Sequence, residues 1–442
     1  MRSRASAIAL ASLATCAACA LPGCKEDPSG TIAITVGEEL DAFSRQPAPT
    51  TLVVESIDAE GKPSEIARTA LPADEISLGE KDRTEVGALR VRGLDAAGKV
   101  LLKGESLYLQ FGALENSSFE VFVQRTGELA RMPRGPGGLD APLMGLTVAR
   151  YLVAASGPAV FLYDLLALKP LPGFPSLPRV PKSLATFGTA AIVIDDQGAT
   201  TVDLSTATSN DLAAPAGGTF AEIAGGLTTT APDGSAYVVG GTRTTGGPTS
   251  RVLVIAKDGN VTFATLSAPR EGACAAWVDG RGLVVYGGSA TGAGAELVPL
   301  GSVQGTPLAY PPDAVKRCGA TALDASHVLV AGGAGSATDV AGAAQAAAID
   351  LACAAACKPA AWPGVLPLVR AEVFPLAVDA ALVVGDDATG ATRAFRATAV
   401  MGAQREVPLR APRRNARIIA LPIKGSVAIV GGGAASIEQY LE

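Results

Sequence analysis

The sequence predicts an all-β protein in which a β-sandwich is followed by a β-propeller. Residues 31–126 alternate apolar and polar side chains with a period of two, which is the pattern of half-buried strands. Farther along, apolar strands that end in glycine recur at intervals typical of four-stranded propeller blades. The chain also combines 51 glycines and 30 prolines with 48% hydrophobic residues, which suits short strands and tight turns around an apolar core.

The start of the chain has the features of an export signal. Arg2 and Arg4 precede an uncharged apolar run, Ala5 to Ala20, which is shorter than the roughly 20 residues that a spanning helix needs. The run leads into Leu21-Pro22-Gly23-Cys24, which resembles the lipobox of bacterial lipoproteins. The resemblance implies that residues 1–23 are removed and that Cys24 is acylated and anchors the protein to a membrane. The alternative is an ordinary cleaved signal, in which Cys24 has no role.

Charge and the residue after the cysteine indicate where such an anchor holds the protein. Residues 24–30 form the anchor and a short polar tether, and Lys25 follows Cys24. In bacterial lipoproteins an aspartate at that place commonly retains the protein at the inner membrane, so the resemblance implies the outer membrane. Loss of Arg2 and Arg4 with the signal changes the net charge from −6 to −8. The acidic mature chain has no basic block, which argues against docking on anionic lipid and against binding of nucleic acid.

Residues 31–126 are predicted to form an Ig-like sandwich. Ile32 and Ile34 alternate with polar neighbours, and about seven such strands fit into this length. Two turns, at 58–62 and 95–99, share the order aspartate, two residues, glycine, lysine. The aspartate can cap the turn and the glycine can take a positive φ, so each turn predicts a tight chain reversal.

Internal repetition is the strongest signal in the remainder of the chain. Apolar strands run into Gly240-Gly241, Gly287-Gly288, Gly332-Gly333 and Gly431-Gly432, and a related strand runs into Gly385-Asp386. The first glycines are separated by 47, 45, 53 and 46 residues. Periods in this range are typical of propellers, in which each blade gains stability only by packing on its neighbours.

A second landmark, an arginine after a proline or a short apolar stretch, keeps the same spacing. Its members are Arg134, Arg179, Arg270, Arg317, Arg370 and Arg413. Together the arginines and glycine pairs resemble the kelch repeat, as in REGACAAWVDGRGLVVYGG from Arg270 to Gly288. Trp362 stands where that repeat has a tryptophan in its fourth strand. The resemblance covers about residues 130–442 and implies a kelch-like propeller, although several repeats lack the tryptophan or the glycine pair.

The ends of the repeat region predict how the ring closes. The segment 436–442 corresponds to a third strand of the final blade, and no fourth strand follows it. Leu129 to Met132 occupies a fourth-strand position just before Arg134. We therefore predict that this segment completes the last blade, which protects an otherwise open sheet edge. The predicted propeller spans residues 127–442 and has seven blades.

The cysteines that remain after the anchor suggest disulfides, because an exported protein folds in an oxidising compartment. Cys353 and Cys357 are close enough in sequence for a local disulfide, and a metal or redox pair is disfavoured because the spacing is not Cys-x-x-Cys. Cys274 and Cys318 occupy nearly equivalent inner-strand positions in adjacent blades. Buried free thiols are favoured there, with a cross-blade disulfide as the alternative.

The six recurrent arginines form the candidate ligand face. At equivalent blade positions their guanidinium groups could encircle one mouth of the propeller and bind carboxylates or sulfate. The structural alternative, that each arginine bonds a carbonyl or an acid at a blade join, is favoured because the protein is acidic overall. The aspartate pairs at 195–196 and 386–387 are interpreted as solvated turns, since calcium needs more oxygen ligands at a defined spacing.

Two classes of function remain. The first is a non-catalytic binding or scaffold lipoprotein that presents the propeller to an unknown protein or glycan, without a cofactor, metal or catalytic residue. The second is a kelch-type enzyme. The single histidine, His327, which is predicted to be solvated in a turn, excludes the copper radical oxidases of that family because they need two. A sugar-modifying enzyme of the isomerase or mutarotase class stays as the alternative, since carboxylates and arginines can suffice for that chemistry.

Overall fold

The computed structural model describes residues 31–442 except 73–75, 77–83, 115–117, 138, 140–142, 244–245, 336–343, 363, 365–366, 378–379 and 399–403. The predicted signal, Cys24 and the tether lie outside the described residues. Regular structure in the described part consists of 36 strands and two short 3₁₀ helices, Phe111–Leu114 and Phe220–Glu222. None of the helices in these ranges has the length and apolarity to cross a bilayer.

The first eight strands form an N-terminal unit of two sheets. The larger sheet has the order β3-β2-β4-β5-β8, with β6 also paired to β4, and β1 pairs with β7 in parallel. The strands are β1 (Thr31–Thr35), β2 (Thr51–Ile57), β3 (Pro63–Ala70), β4 (Val86–Leu94), β5 (Val100–Glu105), β6 (Leu109–Gln110), β7 (Ser118–Phe122) and β8 (Gln124–Arg125).

One apolar core holds these two sheets together. Val54 and Val91 from the larger sheet are fully buried against Ile32 and Val121 from the smaller one. Alternation in the sequence therefore places one face of each sheet toward a shared core. Both turns with the shared chemistry form as predicted: the Asp95 carboxylate accepts hydrogen bonds from the backbone N–H groups of Ala97 and Lys99, and Gly98 has a φ of 81°.

The rest of the chain forms seven four-stranded antiparallel sheets, numbered here in chain order. Sheet 1 contains β10 (Leu143–Val148), β11 (Tyr151–Ser156), β12 (Ala159–Asp164) and β13 (Lys169–Leu171). Sheet 2 contains β14 (Ser183–Phe187), β15 (Ala190–Ile194), β16 (Ala199–Asp203) and β17 (Ser209–Leu212). Sheet 3 contains β18 (Leu227–Thr230), β19 (Ala236–Val239), β20 (Thr249–Ile255) and β21 (Val261–Arg270).

Sheets 4 to 7 continue the same pattern, except that the last sheet takes one strand from the start of the region, β9 (Leu129–Arg131). Sheet 4 contains β22 (Cys274–Val278), β23 (Gly282–Tyr286), β24 (Ala295–Pro299) and β25 (Thr306–Pro307), and sheet 5 contains β26 (Gly319–Ala322), β27 (His327–Ala331), β28 (Ala347–Asp350) and β29 (Ala360–Ala361). Sheet 6 contains β30 (Arg370–Ala377), β31 (Ala380–Asp386), β32 (Thr392–Thr398) and β33 (Arg405–Glu406). Sheet 7 contains β34 (Arg417–Ala420), β35 (Ser426–Val430), β36 (Glu438–Leu441) and β9.

Successive sheets pack face to face, and the first sheet also packs on the last, as in a β-propeller. A separate apolar cluster lies between each neighbouring pair of sheets, including sheets 7 and 1. On β15, Ala191 and Val193 face sheet 1 while Ile192 and Ile194 face sheet 3. Because both faces of each sheet are buried, the second strands are continuous apolar runs, unlike the alternating strands of the N-terminal unit.

The glycine pairs end these runs where another part of the backbone comes close. Gly288 has a φ of 70°, and a Cβ on it would lie 2.6 Å from the carbonyl oxygen of Glu271. Gly432 has a φ of 71°, and a Cβ on it would lie 3.0 Å from the backbone nitrogen and carbonyl oxygen of Arg414. In both sheets the second glycine therefore lets the end of the second strand pack against the segment that leads into the first strand.

The predicted pairing between the two ends of the repeat region is present. β9 lies antiparallel to β36, with Leu129 opposite Tyr440 and Arg131 opposite Glu438. The backbone N–H of Met132 extends this pairing by donating to the carbonyl of Ile437 over 2.8 Å. Sheet 7 thus joins strands from both ends of the region.

The N-terminal unit packs against this junction. Leu107 and Phe122 belong to the same apolar cluster as residues of sheets 1 and 7. The Gln124 side-chain amide donates to the carbonyls of Glu128 and Gln439, over 3.0 and 3.2 Å. The unit therefore contacts both strands whose pairing closes sheet 7.

Candidate functional site: the central channel

The seven first strands surround one cavity of about 770 Å³. Its walls come from β10, β14, β18, β22, β26, β30 and β34, so every sheet contributes. Each of these strands is paired on one side only, by the second strand of its own sheet, and its other edge faces the cavity. The volume lies within the usual range of small-molecule sites. We refer to this cavity as the central channel.

Neighbouring first strands are tied together by short hydroxyl contacts. Ser183 Oγ donates to the carbonyl of Gly226 over 2.8 Å, and Thr228 Oγ1 donates to that of Leu184 over 2.6 Å. Thr147 Oγ1 donates to the carbonyl of Ala420 in the same way, over 2.6 Å. The ring is therefore fixed at the channel wall by polar contacts as well as by the apolar clusters between sheets.

The middle of the channel is mainly apolar and aromatic, and the end where the first strands finish also carries the exposed residues Asp279 and Asp324. Trp277, near the end of β22, lies in the wall and stacks on Tyr237 of sheet 3, with ring centroids 5.4 Å apart and an interplanar angle of 21°. Phe374 and the partly exposed Met144 contribute further apolar surface. A wall that combines an aromatic face with exposed threonines, such as Thr230, can hold a ligand that is apolar on one side and polar on the other.

The other end of the channel, where the first strands begin, carries a cluster of charged side chains. Arg417 Nη1 donates to Glu372 Oε1 over 2.6 Å, and Arg370 Nη1 lies 3.3 Å from the same oxygen. Arg370 also donates from Nε to Asp386 Oδ2 over 2.7 Å and to the carbonyl of Ala416 over 2.5 Å. Lys182, which immediately precedes β14, lines the same cavity and pairs with Asp196.

Arg317 adds a third guanidinium to this cluster. Burial lowers the pKa of Arg317, and the positive charge of Arg370 lowers it further. The nearby charge of Asp386 opposes this shift but does not cancel it. Arg370 and Arg417 thus share the Glu372 carboxylate, and Arg370 also bonds Asp386. Because the charges of Arg370 and Asp386 both act on Arg317, we call these five residues the mouth cluster.

Two of the six arginines predicted for the ligand face are completely enclosed. The side chains of Arg270 and Arg413 have no exposed surface, and neither do those of their partners Glu296 and Glu438. Arg270 Nη2 lies 2.8 Å from Glu296 Oε1, and Arg413 Nε lies 3.0 Å from Glu438 Oε1. Both guanidinium groups also donate to carbonyls of their own sheets. These two arginines have the structural role and are out of reach of a ligand.

The other four predicted arginines do not form one ring. Arg179 is held within sheet 2 by Thr200, Asp195 and Asp211. Arg134 bonds Glu120 of the N-terminal unit and the carbonyls of residues 167 and 168. Only Arg317 and Arg370 come together at the mouth cluster.

The structure pairs all four described cysteines. Cys353 and Cys357 form a disulfide with Cα atoms 5.9 Å apart, in the loop that follows β28. Cys274 and Cys318, for which the sequence favoured free thiols, are joined as well, with Cα atoms 5.4 Å apart. Because the first strands of sheets 4 and 5 begin side by side, the two nearly equivalent positions meet at the channel wall.

Other polar candidates lie apart from the mouth cluster. His327 is the first residue of β27, half exposed, with Nδ1 2.9 Å from Asp324 Oδ2. The Asp195 and Asp387 carboxylates accept backbone N–H groups of their own turns. The described residues contain no group of three or more His, Cys, Asp or Glu side chains arranged to hold a metal ion.

Sequence reasoning missed Trp277, Glu372 and Arg417 as parts of one site. It also missed the acidic partners of the buried arginines, although a spacing signal was present. Glu296 follows Arg270 by 26 residues, and Glu438 follows Arg413 by 25. Glu372 and Arg417 carry no such signal, because their proximity depends on the packing of two different sheets.

Comparison with known proteins gives limited similarity. No protein-family model matches the chain, and no curated protein matches it in sequence. Among solved structures it is similar to the crystal structure of the tricorn protease, with a TM-score of 0.41 and 10% identity, over 88% of this chain and 41% of that one. The chain thus spans less than half the length of that structure. At this TM-score the likeness supports no statement about the fold or function of this protein.

Proposed function

We propose that this protein is a non-catalytic binding or scaffold lipoprotein of the bacterial outer membrane. In this proposal acylated Cys24 anchors the chain, and residues 31–126 form an Ig-like spacer. Residues 127–442 then present a seven-bladed kelch-like propeller to a protein or glycan ligand. The support for the anchor is the sequence around Leu21-Pro22-Gly23-Cys24, and the support for the propeller is the set of seven four-stranded sheets around one channel.

The spacer role is supported by the contacts between the two parts of the chain. Glu128, in the segment that joins them, accepts hydrogen bonds from Arg45 over 2.7 Å and from Arg410 over 2.6 Å. Arg131 of β9 donates to Glu39 over 2.8 Å. Together with the shared apolar cluster, these ion pairs favour a fixed orientation of the propeller over a flexible tether.

The observation that carries the binding proposal is the aromatic wall of the channel. Trp277 stacks on Tyr237 and is only partly buried, and the exposed residues Thr228 and Thr230 of the neighbouring strand β18 line the same cavity. A sugar ring or an aromatic or proline-containing peptide segment can pack on such a wall and bond the hydroxyls.

The test is a binding screen of the mature protein against glycan and secreted-protein libraries, with Trp277→Ala as the channel variant. Tyr108→Ala is the matched control, because Tyr108 is an exposed aromatic residue on the N-terminal unit. We expect the ligand to lose about tenfold or more in affinity with Trp277→Ala, since a buried aromatic contact is worth at least about 1.4 kcal/mol. Equal binding by both variants would contradict a channel ligand.

The anchor is tested separately by Cys24→Ser and detergent-phase fractionation of cells. We expect the unmodified protein to partition into detergent and the variant to appear in the aqueous phase with altered mobility. A variant that stays in the detergent phase with unchanged mobility overturns the lipoprotein proposal.

One observation favours the alternative, a sugar-modifying enzyme of the isomerase or mutarotase class. The carboxylate of Glu372 and the guanidinium of Arg417 lie together at the channel wall. A carboxylate can transfer a proton to or from a sugar, and a guanidinium can stabilise a negative charge that forms on it. Assay of the purified protein with aldoses and acidic sugars, with Glu372→Gln as the comparison, decides between the two. Turnover that Glu372→Gln abolishes establishes the enzyme.

A further inference from the structure

One surface hairpin of sheet 3 carries the sequence of a glycan acceptor. Residues 260–262 have the order Asn-Val-Thr. Asparagine, any residue except proline, and then serine or threonine is the order on which N-linked glycans are built in exported proteins. The chain has four asparagines, and one other match, at 116–118, begins outside the described residues. Asn210 and Asn415 have no hydroxyl residue two positions later.

The hairpin presents both required side chains to solvent. It joins β20 to β21, and β21 is the outer strand of sheet 3. The N–H of Ala256 donates to the carbonyl of Asn260 over 2.9 Å, so the pairing of these two strands continues to the acceptor residue. Asn260 and Thr262 are exposed, whereas Val261 between them is half-buried. Alternation along the strand therefore puts the amide and the hydroxyl on the same, solvent-facing side.

The opposite side of the hairpin is held by the neighbouring sheet. The N–H of Gly259 donates to the carbonyl of Ala256 over 2.9 Å, and Gly259 has a φ of 95°. A Cβ on Gly259 would lie 2.8 Å from Cζ of Phe187, at the end of β14 in sheet 2. The hairpin thus packs on sheet 2 and leaves its other side open to an enzyme.

The hydrogen bonds of the two side chains suit an acceptor. Asn260 Nδ2 donates to Asp258 Oδ2 over 3.0 Å, and the backbone N–H of Asn260 donates to Asp258 Oδ1 over 3.0 Å. Because Asp258 is itself exposed, these bonds keep the amide at the surface. The hydroxyl of Thr262 forms no hydrogen bond with another described residue, unlike the hydroxyl of Thr228, which bonds a neighbouring first strand.

We propose that Asn260 is an acceptor for an N-linked glycan. In the transfer, Asn260 Nδ2 attacks the anomeric carbon of a sugar that is attached to a polyprenyl diphosphate. A bond forms between this nitrogen and the carbon, and the bond from the carbon to the diphosphate oxygen breaks. The diphosphate leaves with the electron pair, and the nitrogen gives up one proton to a base of the transferase. This inference goes beyond the proposed function, with which it shares only the export of the chain.

The experiment incubates the folded mature protein with a purified bacterial oligosaccharyltransferase and a polyprenyl-diphosphate-linked oligosaccharide of known mass. We expect glycopeptide mapping by mass spectrometry to place one glycan on Asn260. Asn260→Gln should lose this glycan because it removes the acceptor amide from its position. Thr262→Val should lose it because the hydroxyl is missing, whereas Thr262→Ser, which keeps the hydroxyl, should retain it.

Asn210→Gln is the matched control, because Asn210 is also exposed and lies in an outer strand, β17. It should be glycosylated at Asn260 as fully as the unmodified sequence. Melting temperatures of all variants should agree closely, since the changed side chains lie at the surface. This measurement separates a lost acceptor from a lost fold.

The inference is overturned if the peptide that contains Asn260 carries no glycan, or if Thr262→Val is glycosylated as fully as Thr262→Ser. A glycan found only at Asn116 also overturns it. Its failure is distinguishable from that of the proposed function, because the hairpin takes no part in the channel wall and the purified reaction needs no anchor. Glycosylation at Asn260 without any ligand in the library screen would support this inference and remove the binding proposal.

Discussion

Leu129 and Tyr440 lie directly opposite each other on adjacent antiparallel strands, although they come from opposite ends of the propeller region. Both side chains are completely buried in the apolar cluster between sheets 6 and 7. Through this pair β9, which comes first along the propeller region, becomes the outer strand of sheet 7. Closure therefore depends on a short segment whose own length is only three residues.

The first prediction concerns the stability of this closure. Leu129→Ala should lower the free energy of unfolding by about 2–5 kcal/mol, because it leaves a cavity in a fully enclosed site. Leu300→Ala, at a leucine that is 64% exposed, is the control and should change little. Chemical denaturation measures both.

Two deletions test the same closure at the level of the strand. Removing residues 31–134 should lower the melting temperature further than removing 31–126, since only the longer deletion takes away β9. Equal melting temperatures for the two truncated proteins would show that the pairing of β9 with β36 does not stabilise the propeller.

The second prediction concerns the buried arginines. Glu438 accepts hydrogen bonds from the backbone N–H groups of Arg410 and Ala411 as well as from Arg413, and has no exposed surface. Burial lowers the pKa of Arg413 and the charge of Glu438 opposes this shift, so the arginine depends on its partner. Glu438→Gln should therefore destabilise the protein by about 3–5 kcal/mol, because it leaves an unpaired buried charge.

Glu406→Gln is the control for this prediction, since Glu406 pairs with Arg393 at a site that is 41% exposed. Exposed ion pairs contribute little, so its unfolding midpoint in urea should stay close to that of the unmodified protein. Similar midpoints for the two variants would argue that the Arg413 pair does not hold sheet 7 together.

The third prediction ranks the two disulfides. Cys274 and Cys318 are separated by 44 residues, and Cys353 and Cys357 by 4. Because a cross-link restricts the unfolded chain more when its loop is longer, chain entropy gives about 4 kcal/mol for the first and about 2 kcal/mol for the second. The double alanine variant at 274 and 318 should accordingly be the less stable in denaturant.

Peptide mapping under non-reducing conditions gives the direct check of both bonds. Each pair should appear as a linked peptide, and thiols that alkylate freely in the native protein would contradict the assignment. Mapping also serves as the control that the two double variants keep the remaining disulfide.

The fourth prediction is a pH dependence at the junction between the two parts of the chain. Burial alone would raise the pKa of Glu128, but hydrogen bonds from Arg45 and Arg410 outweigh it and hold the pKa below its ordinary value of 4.5. The contribution of Glu128 to stability is therefore complete above that value and is lost as the pH falls through the lower pKa of the folded state.

Melting temperatures of the unmodified protein and of Glu128→Gln, measured from neutral pH downward, test this. The unmodified protein should be the more stable near pH 7, and the difference should shrink below about pH 4.5 as the carboxylate takes up its proton. A difference that stays constant across this range would assign the effect to packing instead of charge.

The sequence by itself determined the β class, the position of the sheets and the strand that closes the ring. These features repeat or alternate along the chain: Gly287-Gly288 and Gly431-Gly432 recur at the ends of second strands, and the segment from Leu129 has the spacing of a missing fourth strand. Periodicity is a local property of a strand and of the turn that follows it, so it can be read without knowledge of the neighbours.

Only the tertiary structure decided which charges meet. Arg270 and Arg317 hold the same position in the repeat, yet Arg270 is enclosed with Glu296 while Arg317 joins Arg370 beside the channel. The partner of each arginine comes from another strand or another sheet, and its distance depends on how the faces pack. The pattern of arginines could therefore predict a common place in the blades but not the different environments that packing creates for them.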